Sequence, residues 1–466
     1  MSRITINSKQ WEHSLGDTGQ DVYIALFHDN CENKIQKFLD DNDYDILVED
    51  DADFYSPPVG NVAEGFSSTT EENLIFKFRK NVFTEEQQLG AYEGLLEGAT
   101  ESNNRGSASG PRDDEKQGRD FVTDVQVEIM DSYIKGVGSS LFNEDVVETI
   151  KNKYSKDPLK ISLGKVWVRY KIEALGEEYD NFFDNMIIKW KSMPDAERSA
   201  HALLVKETCI SGTTYANTVL SGIAGYFDRH PRFPYGRVTS YTEKNRSMFE
   251  KCFPFMRQLS KSFEEHVPKR FSIQNTAANT LDPKFRIAGV DTPFTTITIN
   301  KNFRTAAHRD AGDLNEGFSN LTVVAKDKEW EGGYLVLPEF RVAVNIRPGD
   351  LLLVNNHDGI HGNTEMKPPK GKRIEDMERI SLVCYFREKM IQLGSFDYEQ
   401  HRKNYVEQRR LNPEHPEQRI RWNGVSPSMF FLPEWYDYLT THGGEEIVRQ
   451  YHPEAFQESA SLEDFI

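Results

Sequence analysis

The feature that most constrains this chain is a succession of short apolar runs, each closed by a turn signal, between residues 294 and 386. The runs at 294–299, 321–325, 334–337, 342–346, 351–354 and 380–386 are rich in β-branched and aromatic residues and too short for ordinary helices. Gly332-Gly333 and Pro348-Gly349-Asp350 interrupt them where the chain must turn back. Short strands at this spacing predict a sandwich or jelly roll. Upstream, 73–79 alternates as a strand, and Thr84-Glu-Glu-Gln87 has the form of a capping box opening a helix to about Gly98. Residues 161–170 read as a further strand and 195–208 as a helix. Met248, Phe249, Cys252, Met256, Leu259 and Phe263 recur at helical spacing, which predicts a buried helix face rather than a cofactor site.

These elements place the chain in the α+β class. The expected organisation is a mixed segment at 1–120, ending in a Gly/Ser- and charge-rich linker near 100–120, and a supporting region at 121–209. The strand-rich domain follows at 210–390, and a helical appendage at 391–466. A long loop over an active site is the alternative for 100–120. The Lys/Arg-dense stretch 401–421 reads as a solvated helix face.

No apolar run reaches the roughly 18 residues of a membrane span, and the first residues carry no apolar signal core. Cys31, Cys209, Cys252 and Cys384 are far apart with no CxxC pair, which indicates neither a zinc site nor a disulfide framework. An intracellular, reducing compartment is the expectation. The net charge of −18 argues against broad, non-specific adhesion to nucleic acid, although it leaves room for a local basic groove.

His308-Arg-Asp310, the single His-x-Asp triplet of the chain, lies between two expected strands. On an extended segment residues i and i+2 share a face, so the imidazole and the carboxylate can meet one ion. Two histidines and one carboxylate on one face of iron leave three positions open, the facial triad of non-haem Fe(II) oxygenases. The third ligand comes from Asn355-Asn-His-Asp-Gly-Ile-His361, as His361 or His357. His361 is preferred because Gly362 beside it would permit close backbone approach to the metal. A 2-oxo acid with a second carboxylate needs a cation at the far end of its pocket, and a guanidinium suits it. Arg379 starts the last strand with Ser381 on the same face, while Arg373 and Arg387 compete for that role.

The ordered set His308-Arg-Asp310, Gly332-Gly-Tyr-Leu-Val-Leu-Pro338, Pro348-Gly-Asp350, His361-Gly-Asn363 and Arg379-Ile-Ser381 resembles the TET/J-binding-protein (TET/JBP) dioxygenases. Ser221-Gly-Ile-Ala-Gly-Tyr-Phe-Asp-Arg229 and Tyr235-Gly-Arg-Val-Thr-Ser-Tyr241 are similar to the start of that family's core, so the resemblance covers roughly 210–390. It implies a double-stranded β-helix with flanking helices. It also implies Fe(II), 2-oxoglutarate and O2, with ascorbate as a reductant, and hydroxylation of the methyl group of 5-methylcytosine or thymine in nucleic acid, DNA before RNA. His308, Asp310 and His361 would ligate the metal. Arg379, with Ser381, would hold 2-oxoglutarate, and Arg237 would join them. The chain lacks the dense Cys/His zinc region of animal TET proteins and looks nearer to the small phage and protist members. Two rivals stand beside this expectation: a dioxygenase of the same fold acting on a protein side chain or metabolite, and a non-catalytic jelly-roll binding protein.

Overall fold

The computed structural model describes residues 1–57, 69–111, 217–230, 233–310, 312–327, 329–411 and 432–456. The strand expected at 161–170 and the helix at 195–208 lie outside these residues, as do Phe430 and Phe431. The chain divides into two compact units. The first comprises 1–111, 216–228 and 238–393, and the second 112–215, 229–237 and 394–466.

In chain order the strands are β1 (Ser2–Ile6), β2 (Lys9–Leu15), β3 (Asp21–Ala25), β4 (Ile46–Val48), β5 (Ala52–Tyr55), β6 (Leu74–Arg79), β7 (Glu101–Ser102), β8 (Val219–Phe227) and β9 (Arg237–Val238). The runs read from sequence then appear as β10 (Thr296–Lys301), β11 (Ser319–Ala325), β13 (Leu335–Leu337), β14 (Val342–Val344), β15 (Leu351–Val354) and β18 (Arg379–Tyr385). Between them lie the two-residue strands β12 (Glu331–Gly332), β16 (Gly362–Asn363) and β17 (Met366–Lys367).

Strands β15, β11, β18 and β10 form one antiparallel sheet in that order. A second sheet runs β16-β13-β14, with β4 added in parallel. Residues 305–308 close its other side, through Asn363 N–H to Thr305 O (2.8 Å) and a bridge between His308 and His361. Followed along the sequence, the chain alternates between sheets: β10, then 305–308, then β11, then β13 and β14, then β15, then β16, then β18. That winding is a jelly roll, the double-stranded β-helix that the resemblance implies. Trp11, Phe54, Phe76, Phe78, Leu335 and Val354 belong to the apolar core of the roll and its extension.

Strands β6, β5, β3, β2 and β1 extend the large sheet beyond β15, and β8 and β7 extend it beyond β10. The alternation along β18 shows how the sheet is used. Ile380, Leu382 and Cys384 are fully buried, and Cys384 Sγ lies 3.8 Å from Met256 Sδ on the helix Phe253–His266. The opposite set, Arg379, Ser381, Val383 and Tyr385, shares the other face. The expected apolar stripe is this helix and the turn before it. Phe249, Cys252, Met256, Leu259 and Phe263 are fully buried, while Met248 is more than a third exposed. The capping box forms as read: Thr84 Oγ1 accepts from Gln87 N–H, and Gln87 Oε1 from Thr84 N–H. Its α-helix ends at Leu95, and a 3-10 turn reaches Gly98.

Residues 101–110 depart from the expectation of a linker. They form β7 and a 3-10 turn, and Ala108 O accepts from Ala306 N–H (2.8 Å). A Cβ on Gly222, in β8, would sit 1.7 Å from Gly98 O. The absence of a side chain there lets this segment lie against the roll.

The second unit holds an aromatic core of Tyr235, Tyr398, Tyr405, Trp435 and their neighbours, built largely by the helices Phe396–Leu411 and Leu432–His442. Fully buried Glu399 is ion-paired with Arg229 and accepts from Gly236 N–H (2.6 Å) and Gly394 N–H (3.0 Å). Arg402, expected on a solvated face, is instead largely buried and donates to Pro234 O (3.0 Å).

Gly222→Ala should lower the unfolding free energy by about 1–3 kcal/mol, because the methyl must displace backbone rather than a flexible side chain. Urea unfolding measures it, and a loss near zero would show that the segment ending at Gly98 gives way freely.

Candidate active site

The triad is assembled from two neighbouring segments of the small sheet. Segment 305–308 delivers His308, and the loop after β15 returns to deliver His361. The two backbones pair reciprocally, His308 N–H to His361 O at 2.9 Å and His361 N–H to His308 O at 3.0 Å. A Cβ on Gly362 would meet the backbone of Ala306 and Ala307 at 3.0 Å. The close approach expected at Gly362 is therefore to the strand carrying His308.

His308 Nε2 lies 3.2 Å from one oxygen of Asp310, and His361 Nε2 lies 3.7 Å from the other. One ligand atom from each of the three side chains falls within 4.8 Å of the other two. His308 Nδ1–H donates to Ala306 O (2.8 Å) and His361 Nδ1–H to Gly359 O (3.1 Å). Both Nε2 atoms are thereby turned to the Asp310 side, where a metal ion would take the place of any proton on them. Asn356 Nδ2 donates to Asp310 Oδ2 (3.2 Å), and Asp310 N–H donates to Asn356 O (3.0 Å). This nitrogen and oxygen donor set fits divalent iron.

The electrostatics match a site made for a cation. Burial works against the Asp310 anion, yet the charge of His361 and the hydrogen bond from His308 hold its pKa near about 2. Burial and then the charge of His308 bring His361 down to about 4, which keeps it a neutral ligand. Burial also works against the His308 cation, but the Asp310 hydrogen bond and charge outweigh it and raise its pKa. His357, the alternative ligand, turns away to hydrogen-bond Asp358 (2.9 Å).

Arg379 and its two competitors are separated by their partners. Arg373 is exposed and paired with Asp376, and Arg387 is ion-paired with Asp228. Arg379 is buried, and its Nε makes no hydrogen bond among the described residues. It lines a cavity of about 410 Å³ together with Asn302, Arg304, Asn363, Thr364 and Met366. Its guanidinium lies 5.4 Å from the Trp330 ring centroid, and that of Arg347 lies 4.7 Å from the same ring. Burial, then the nearby Arg347 charge, depresses the Arg379 pKa to about 10. A buried cation left in this state fits a carboxylate. Ser381 follows on the same face of β18. Arg237 belongs to the second unit, where its guanidinium lies 4.5 Å from the Phe233 ring centroid.

Beside the triad lie Asp313, Tyr385 and Arg105, which were not read from sequence, and Arg387, which was read only as a competitor of Arg379. Buried Asp313 accepts from Ser319 Oγ (2.6 Å), and burial followed by the Asp310 charge pushes its pKa to about 7. Arg387, paired with Asp228, stacks 3.8 Å from the Phe227 ring centroid and bridges to Asp313 through the backbone. Buried Tyr385 feels the charges of Asp313 and Asp310. Arg105 donates to Gly222 O (2.8 Å), its Nε has no hydrogen-bond partner among the described residues, and its charge reaches Tyr385 and Asp310. A cation beside a positive-φ glycine, Gly106, in an otherwise small-residue run was the available signal for Arg105. Asp313 offered none, since its neighbours come from distant segments.

Comparison with known proteins agrees with this geometry. Residues 222–388 match the family model Tet_JBP, described as the oxygenase domain of the 2OGFeDO superfamily. Thymine dioxygenase JBP1 of Leishmania braziliensis is 30% identical over 266 residues, covering 53% of this chain and 32% of the relative. Thymine dioxygenase JBP1-B of Trypanosoma cruzi is 38% identical over 170 residues, covering 36% of this chain and 19% of the relative. Bifunctional helicase and thymine dioxygenase JBP2 of Leishmania major is 28% identical over 332 residues, covering 65% of this chain and 29% of the relative. The chain thus spans about a third or less of the length of these relatives. Residues 222–388, which carry the jelly roll and the His-Asp-His cluster, are thus similar to the TET/JBP oxygenase domain.

Proposed function

We propose that this chain is an Fe(II)- and 2-oxoglutarate-dependent dioxygenase that hydroxylates the methyl group of a pyrimidine, 5-methylcytosine or thymine, in DNA. The observation that carries this reading is one roll that holds both the His308–Asp310–His361 cluster and the unpaired, buried Arg379. The first can take a divalent metal and the second a carboxylate. The Arg379 cavity is lined by Asn363 and Thr364, which directly follow the His361-Gly362 pair, so the two features share a strand. Its volume lies within the roughly 300–1,000 Å³ usual for small-molecule sites. The names of the relatives favour thymine as the first base to test.

His308 and His361 would hold iron through Nε2, and Asp310 through a carboxylate oxygen. Iron with 2-oxoglutarate and O2 supplies an oxidative decarboxylation that yields succinate, CO2 and the hydroxylated methyl group. The protein's own contribution is placement. Arg379 would take the distal carboxylate of 2-oxoglutarate, with the Ser381 hydroxyl on the same face, and the resemblance adds Arg237. Asp313, near neutrality in this site, can both donate and accept hydrogen bonds, which suits the edge of a base. A base in a duplex must leave its stack to reach such a site.

Full-length protein with Fe(II), ascorbate and 2-oxoglutarate should convert 5-methylcytosine- or thymine-containing duplex DNA to the hydroxymethyl base, read by nucleoside mass spectrometry. His308→Ala should abolish the product, and His357→Ala should leave it in place. Succinate without a modified base would move the substrate to a protein side chain or metabolite, and the absence of both products would overturn the reading.

Arg379→Met should raise the KM for 2-oxoglutarate about 30-fold or more, the loss of about 2 kcal/mol expected for one side of a desolvated ion pair. Succinate release at varied 2-oxoglutarate measures it, and an unchanged KM would remove Arg379 from the pocket.

A further inference from the structure

Arg309 stands between two triad residues in sequence, and the alternation that turns His308 and Asp310 towards the metal position sends its side chain to the other side. There it meets three groups at once. Its Nε donates to Asp358 O (2.8 Å), and its Nη2 lies 2.7 Å from Glu32 Oε1 and 3.4 Å from Glu339 Oε1. Glu339 is buried, and its second oxygen accepts from Ile360 N–H (2.9 Å), one residue before His361. One guanidinium therefore grips the His361 loop twice, directly at Asp358 and through Glu339 at Ile360, while its own backbone carries the other two ligands.

The third contact comes from outside the matched oxygenase domain. Glu32 lies in a segment that is itself tied to the triad strand. Gln36 N–H donates to Ala307 O (2.7 Å), Ala307 N–H donates to Lys37 O (2.8 Å), and Asp29 N–H donates to Glu339 O (3.0 Å). This segment therefore bonds to both the strand bearing His308 and the turn bearing Glu339.

We propose that Arg309 is the positioning residue of the metal centre, holding His361 in register with His308 and Asp310 through Asp358 and Glu339, and that Glu32 completes the clamp. The proposal rests on the reading of the triad as a metal site. Residues 29–37 are then part of that site. Lysine cannot replace the arginine, because an ammonium is a single point of charge and only a planar fork spans acceptors on separate elements. Groups that orient metal ligands in this way change metal affinity by about 10- to 100-fold when removed.

The test is Co(II) titration of the full-length chain, following the visible ligand-field bands, with thermal unfolding in EDTA alongside. Arg309→Gln should weaken Co(II) binding about 10- to 100-fold and alter the bands. Arg309→Lys should do the same to a smaller degree. Glu32→Gln, at an exposed carboxylate, should weaken binding by about two- to fivefold. Arg373→Gln, which removes an exposed arginine paired only with its neighbour Asp376, should change nothing. A purely structural role would lower the unfolding temperature of Arg309→Gln but leave the Kd and bands of the folded protein native, and that result overturns the proposal. If Arg309→Gln does not fold, Arg309→Lys decides on the same two readouts. If the unaltered chain takes up no cobalt, the metal reading fails and the clamp with it. Native binding with native-like variants removes the clamp alone.

Discussion

The reciprocal backbone pair between His308 and His361 is the constraint on which the rest of the site depends. It joins two segments 53 positions apart in the numbering, at two of the three residues of the His-Asp-His cluster. A strand register is discrete, so a slip of one segment by one residue would turn its imidazole to the face opposite the other. Gly362 permits the approach, because its missing side chain leaves room for the backbone of Ala306 and Ala307. Asn356 then ties Asp310 to the same loop from both its backbone oxygen and its side-chain amide. The geometry of the cluster is consequently a property of strand pairing.

Around this pair the charged groups fall into two kinds. Asp53, Asp228, Asp45 and Glu399 each have an arginine, and they hold elements together within their own units. Among the described residues Arg379 has no such partner, and Arg105 hydrogen-bonds only a carbonyl. Burying an unpaired guanidinium costs several kcal/mol, so a fold that keeps one at a cavity wall does so at the expense of its own stability. A carboxylate ligand would offset that cost, which turns an otherwise unfavourable residue into a source of affinity. Arg387 is excluded from this role for the same reason, since Asp228 already satisfies it.

Much of the roll was legible because its strands are local patterns. The apolar runs between 294 and 386 became β10, β11, β13, β14, β15 and β18, with boundaries shifted by one or two residues. His308, Asp310 and His361 were legible because spacing alone puts the first two on one face, and a glycine marked the third. What sequence could not disclose is what enters from far away. The extension of the large sheet by β1, β2, β3, β5 and β6 depends on the pairing of β6 with β15, across more than 270 positions. The docking of Arg105 depends on Ala108 meeting Ala306. The fate of Arg402 depended on Pro234, from a distant segment, as well as on Tyr398 and Glu399 of its own helix.

The same distinction bears on where the catalytic unit ends. A family model marks one stretch of the chain, here 222–388. Hydrogen bonds record a different boundary. Ala306 and Ala307 take their backbone partners from Ala108 and from Gln36 and Lys37, and the buried turn at Glu339 takes one from Asp29. Backbone groups buried in a sheet must be paired, so removing those partners would leave donors and acceptors orphaned within two residues of His308. The jelly roll of this chain therefore reaches back through the N-terminal segments, and the smallest piece able to hold the triad in register is larger than the stretch that the family model matches.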